Sequence, residues 1–114
     1  MPIDRCEFGR IVVDGEAYTA DFILSPDGVE PDWWRTDGHT LTREDVRPLL
    51  EKMPSVLIIG TGMDGHLRVS PDMLLYMADH CSEVHVEKTP RAAEIYNHAL
   101  ASHHRPVAGM HLTC

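Results

Sequence analysis

The stretch Val56-Leu57-Ile58-Ile59-Gly60-Thr61-Gly62-Met63-Asp64-Gly65 constrains the fold of this chain more than any other. Four consecutive aliphatic residues, three of them β-branched, follow Pro54 and Ser55. They read as a strand buried on both faces, the pattern of strands inside helix-covered parallel sheets. The glycines that follow allow a sharp turn and leave room for another group to approach the main chain.

The flanking segments complete an architecture around that strand. Phe8 to Val13 is apolar and β-branched, Asp14-Gly15 is a two-residue hairpin signal, and Glu16 to Leu24 reads as the returning strand. Ser25-Pro26-Asp27-Gly28 closes it with turn chemistry, and Val29 to Thr40 is expected to be extended before a turn at Asp37-Gly38. Thr42 is the expected N-cap of a helix, with Leu41 stapled onto Val46 and Leu49, Leu50 and Met53 inward. Pro48 leaves two other starts open, one at Asp45 and one through a 3₁₀ turn. Ser70-Pro71 and Thr89-Pro90 each read as an N-cap followed by proline at the first helical position. The first of these helices turns Met73, Leu74 and Met77 inward, and the second Ala92, Ala93, Tyr96, Ala99 and Leu100. Val84 to Lys88 and Val107 to Thr113 are the remaining strands. The expected fold is α/β in three layers: an N-terminal antiparallel hairpin packed with a mixed sheet that contains a C-terminal β-α-β-α-β unit. A chain of 114 residues fits one domain over 1–114.

Charge and cysteine usage narrow the partners. Eighteen acidic against ten basic residues give a formal net charge of -8, which repels a phosphate backbone, so nucleic acid is not expected as a partner. No apolar run approaches the roughly 18 residues of a membrane helix, and Met1 to Glu7 lacks a secretory signal, so the expected location is cytoplasmic. Cys6, Cys81 and Cys114 form no C-x-x-C pair and are expected to be free thiols.

Gly60-Thr61-Gly62-Met63-Asp64-Gly65 matches G-x-G-x-x-G after a strand, with Glu87 at the end of the next strand. A dinucleotide site also needs a helix that opens within the glycines, so that its N–H groups face the pyrophosphate. Pro71 would lie inside such a helix, and the chain is too short for a separate substrate domain. A tight packing turn is the reading these residues favour. His103, His104, His111 and Cys114, like His80, Cys81 and His85, lack the spacing of a zinc site, and Cys81 has no identifiable base, so no cofactor, metal or nucleophile is expected.

Ile58-Ile59-Gly60-Thr61-Gly62, Thr89-Pro90 with Ala92-Ala93, Tyr96-Asn97, Leu100, and Arg105 before Val107-Ala108 carry a resemblance. They resemble a small domain family shared by mitochondrial respiratory complex I assembly factor 3, the adipogenesis-associated domain-containing protein and many uncharacterised bacterial and archaeal proteins. Trp33-Trp34 fits it. The resemblance implies an antiparallel β portion against a β-α-β-α-β unit, no enzymatic activity, and a role in assembly or interaction through an unknown protein partner, as a monomer or weak homodimer.

A ligand site, if the chain has one, belongs beyond the carboxyl ends of the parallel strands. There Gly60, Thr61, Gly62, Thr89, Asn97 and Arg105 are the candidate binding residues, with the helix start at Thr89 as an anion site. The competing structural roles are a cap for Thr89, backbone bonding for Asn97 and an ion pair with Glu94 for Arg105. Trp33 and Trp34 are candidate interaction residues, because large aromatics are enriched at contact hot spots and neighbours on an extended chain face opposite ways; the competing reading is core packing for one and partial exposure for the other.

Overall fold

The structure of the protein is a computed structural model that describes residues 2–33, 35 and 39–114. Val56–Gly60 forms β6, and its alternation divides the core in two. Val56 and Ile58 enter one apolar cluster, Leu57 and Ile59 the other, as successive side chains of a strand must.

Five strands make the central layer, in the order β5-β4-β8-β6-β7. They are β4 (Phe22–Ser25), β5 (Gly28–Pro31), β6, β7 (Val84–Glu87) and β8 (Pro106–Met110). β6 runs parallel to β7 and β8, while β8 pairs antiparallel with β4 and β4 with β5. Helices α1 (Arg43–Leu50) and α2 (Pro71–His80) cover one face through Val46, Leu49, Met73 and Met77. On the other face lie α3 (Thr89–Ala101), through Ala92, Ala93 and Tyr96, and a three-stranded antiparallel sheet of β1 (Ile3–Glu7), β2 (Arg10–Val13) and β3 (Glu16–Tyr18). The three-layer α/β arrangement is the one expected from the sequence.

Several local expectations change. The hairpin at Asp14-Gly15 is present between β2 and β3, but a further strand, β1, precedes it. A register irregularity between Ile3 and Arg5 breaks the alternation that would have marked β1, and Phe8 lies 63% exposed at the turn. The expected strand from Glu16 to Leu24 divides into β3 and β4, which lie in different sheets. The division falls where the Asp21 carboxylate takes the Leu112 N–H at 2.8 Å, anchoring the crossing chain. β8 stops at Met110 rather than Thr113: the His111 N–H still donates to the Gly60 carbonyl at 3.0 Å, but the next N–H, that of Leu112, turns to the Asp21 carboxylate.

Thr42 caps α1 with a reciprocal capping box: its N–H donates to Asp45 Oδ2 at 2.8 Å, and its Oγ1 accepts the Asp45 N–H at 3.4 Å. The helix therefore begins at Arg43 and continues through Pro48, forgoing one intrahelical bond. Met53 does not contribute to the buried face; it is exposed, with φ of 57° after the helix has ended. Leu74 is also exposed, at the margin of a stripe centred on Met73 and Met77.

Trp33 is 6% exposed, and its Nε1 donates to the Asp45 carbonyl at 3.0 Å. Its ring lies over Gly109, where an added Cβ would stand 2.6 Å from Trp33 Cη2. Trp33 is thus a core anchor between β8 and α1, the core role that the sequence leaves open for one of the two tryptophans. Trp34 lies outside the described residues. Gly109→Ala is expected to lower stability by about 1–3 kcal/mol, since both the ring and the strand are held fast. Urea unfolding followed by tryptophan fluorescence measures it.

Candidate functional site

The carboxyl end of β6 is tied to α3 and to residues 111–114. Gly60 ends β6 with ordinary extended backbone, and its lack of a side chain serves close approach: an added Cβ would stand 2.8 Å from Met110 Sδ and 2.9 Å from Thr89 Oγ1. Gly62 has φ of 102°, and a Cβ there would stand 2.4 Å from the Cys114 carbonyl carbon. Both positions therefore require glycine, Gly60 for space alone and Gly62 for space and backbone conformation.

Thr89 joins these parts. It is fully buried, its Oγ1 donates to the His111 carbonyl at 2.6 Å, and the same oxygen accepts the Gly62 N–H at 2.9 Å. Its own N–H donates to the Gly62 carbonyl at 3.0 Å. The expected N-cap role is not taken: Lys88 holds the cap position without a side-chain bond, and Thr89 is the first residue of α3. The hydroxyl reaches the neighbouring turn because the polar groups there would otherwise be buried without partners.

Most of the other amides of the turn are also engaged. Thr61 N–H donates to the Glu87 carbonyl, Met63 N–H to Thr113, Gly65 N–H to Gly62, His66 N–H to Cys114 and Leu67 N–H to Thr61. A phosphate cradle needs several free N–H groups converging on one point. Here the protein chain itself takes them, and the next helix, α2, begins only at Pro71. The G-x-G-x-x-G string is a packing turn. Beside it, on the α2 side, lies an open groove of about 650 Å³ lined by Thr61, Gly65, Leu67, Arg68, Ser70 and Val86.

Sequence reasoning missed a polar cluster where β8 ends. Asp21 Oδ2 lies 2.8 Å from His111 Nδ1 and 2.7 Å from Arg35 Nη1, and the Arg35 guanidinium stacks over Trp33. Burial alone would raise the Asp21 pKa, but hydrogen bonds from His111 and the Leu112 N–H, together with Arg35, outweigh it and hold the carboxyl below its ordinary value. No local motif marks Asp21 or Arg35, because the cluster forms only when distant segments meet.

The remaining candidates are dispersed. Asn97 clamps β1, its Oδ1 accepting the Ile3 N–H and its Nδ2 donating to the Ile3 carbonyl, both at 2.8 Å. Arg105 lies before β8, at the opposite end of that strand from the turn. It donates to Asp27 Oδ2 at 2.6 Å and to the Lys52 carbonyl at 2.9 Å. Its expected partner Glu94 instead stands 4.0 Å from Arg91. Gly60, Thr61, Gly62 and Thr89 are brought together, whereas Asn97 and Arg105 are not part of that site. Cys6, Cys81 and Cys114 are free thiols. Among the described residues no group of three or more His, Cys, Asp or Glu is arranged to hold a metal ion.

The family model described as "Protein of unknown function (DUF498/DUF598)" matches residues 3–111. The chain belongs to the DUF498/DUF598 family. Solved structures place this DUF498 chain among close folds. The conserved hypothetical protein PH1505 from Pyrococcus horikoshii OT3 is 27% identical, with a TM-score of 0.82 and 100% of each chain covered. MT938 is 28% identical, with a TM-score of 0.80 over 99% of this chain and 98% of that one. A Bordetella pertussis protein described as a Mth938-like domain is 20% identical, with a TM-score of 0.67 over 97% of this chain and 85% of that one, a likeness of fold alone.

Thr89→Val in this DUF498 chain leaves the Gly62 N–H and the His111 carbonyl without their buried partner, and is expected to cost about 2–4 kcal/mol. Thr89→Ser, which retains the hydroxyl, is expected to recover most of that loss in chemical denaturation. The acid limb of stability tests Asp21. Its folded pKa is depressed, so its contribution is present above the unfolded value near 4 and is lost as pH falls through the folded value. The stability gap between the native chain and Asp21→Asn is therefore expected to be widest at about pH 5–7 and to shrink below about pH 4.

Proposed function

We propose that the protein is a non-catalytic interaction or assembly-assisting module, presenting a preformed surface to another polypeptide. The observation that carries this reading is the closed turn: the strand-end position where α/β folds bind ligands is occupied by Thr89, His111 and residues 113–114. Asp21 and His111, a close acid and base pair at that end, are held by Arg35 and the Leu112 N–H. Resemblance to respiratory complex I assembly factor 3 and to the adipogenesis-associated domain-containing protein supports the same reading. The module works as one domain over residues 1–114, in the cytoplasm, as a monomer or weak homodimer. No helix among the described residues is long and apolar enough to cross a membrane, and the formal net charge of -8 favours a protein partner over nucleic acid.

A second reading, small-anion binding, is favoured by Arg68 and Ser70 in the open groove beside the turn. It requires a different place from the Gly60-Thr61-Gly62 turn and the Thr89 helix start, where the Thr61, Gly62 and Thr89 N–H groups are engaged. A ligand at 100 times its dissociation constant adds about 2.7 kcal/mol of stability. A thermal-shift screen with phosphate and small carboxylates is expected to show no such gain.

Native mass spectrometry of untagged protein from its source cells tests the module reading. The expected result is a stoichiometric complex with a second polypeptide, without turnover of substrate. Protein that is always recovered alone, or turnover abolished by a single substitution, contradicts it.

A further inference from the structure

The four outer strand edges of the two sheets are not alike. β5 ends at Pro31, which has no N–H to offer, β3 has only three residues, and β1 is irregular and clamped by Asn97. β7 has none of these blocks. Glu83 and Glu87 direct their carbonyls to Leu57 and Thr61 of the β6 side, so by alternation the N–H and C=O groups of Val84 and Val86 face outward.

Beside this edge a groove of about 690 Å³ separates β7 from α3. Ile95 and Ala99 supply apolar lining, and three carboxylates stand around it against Arg91 and three histidines. Glu83 is 2.8 Å from His85 and Glu94 is 4.0 Å from Arg91, which leaves Glu87 as the carboxylate open to a further cation. Such a groove matches a Lys or Arg side chain, whose aliphatic stem covers apolar surface while its head reaches a carboxylate. A second copy of the chain fits poorly, because antiparallel pairing centred on His85 would set Glu83 against Glu87.

Resting on the module reading above, we propose that the edge of β7, unpaired among the described residues, binds an extended basic segment of a partner protein by strand addition. Main-chain bonds to Val84 and Val86 hold the segment, and its alternate Lys or Arg side chains enter the groove toward Glu87.

The test titrates isotopically labelled protein with an eight-residue peptide alternating Arg and Thr, followed by amide NMR shifts. Shifts are expected at residues 84–86 and along the facing side of α3, and none with a peptide alternating Glu and Thr. Val86→Pro removes an outward N–H while sparing the ladder to β6, and Glu94→Arg reverses one groove charge. Each is expected to weaken peptide binding at least tenfold, with the variant's own spectrum confirming its fold. No shift at β7, equal shifts with the acidic peptide, or undiminished binding by Val86→Pro overturns the proposal. If those results accompany a stoichiometric natural complex in native mass spectrometry, the edge assignment fails while the module reading stands.

Discussion

The Thr89 hydroxyl is the point on which the arrangement depends. One oxygen accepts from the Gly62 N–H and donates to the His111 carbonyl, joining the start of α3, the turn after β6 and the chain after β8. These segments are distant in sequence, and each carries backbone groups that leave regular pairing at this point. Burying such groups without partners costs more than the bonds themselves contribute, so the hydroxyl acts chiefly by preventing that penalty. The glycines follow from the same requirement. Gly60 lets Thr89 and Met110 approach, and Gly62 lets the backbone of Cys114 lie against the turn.

On the proposed reading, the sealed strand end leaves the functional surface to another part of the molecule. In open α/β sheets the crevice beyond the strand termini is where ligands generally bind. Here that crevice is packed, and the edge of β7, unpaired among the described residues, lies beside a groove lined by Glu83, Glu87 and Glu94 together with Arg91 and three histidines. Both suit recognition of a polypeptide better than chemistry on a small molecule. Open edges tend to invite pairing with other chains, and β7 carries acidic residues that discourage pairing with its own kind. An acidic surface overall also speeds encounter with a basic partner.

Much of the architecture was legible because buried strands and capped helices write strong local patterns. Val56 to Ile59 announced a central strand, Thr42 and Ser70 announced helix starts, and Asp14-Gly15 announced a hairpin. β1 was not legible, since its irregular register sends only Ile3 fully inward. The candidate site was legible in part. Gly60, Thr61, Gly62 and Thr89 do meet, but the role of Thr89 was hidden, because a threonine before proline has the same signature whether it caps its own helix or bonds a distant turn. Asn97 and Arg105 stand near the recognisable motif only in sequence. The cluster of Asp21, Arg35 and His111 depends on three segments converging, which no local window records.

Amide hydrogen exchange at Gly62 and Met63 separates a closed turn, which shields these N–H groups, from an open anion cradle, which exposes them. Both N–H groups are expected to exchange only through large-scale opening, with protection approaching that of the β6 core, and adding ADP, NAD or phosphate is expected to leave their rates unchanged. Rapid exchange at Gly62 that slows when one of these ligands is added would contradict the closed turn.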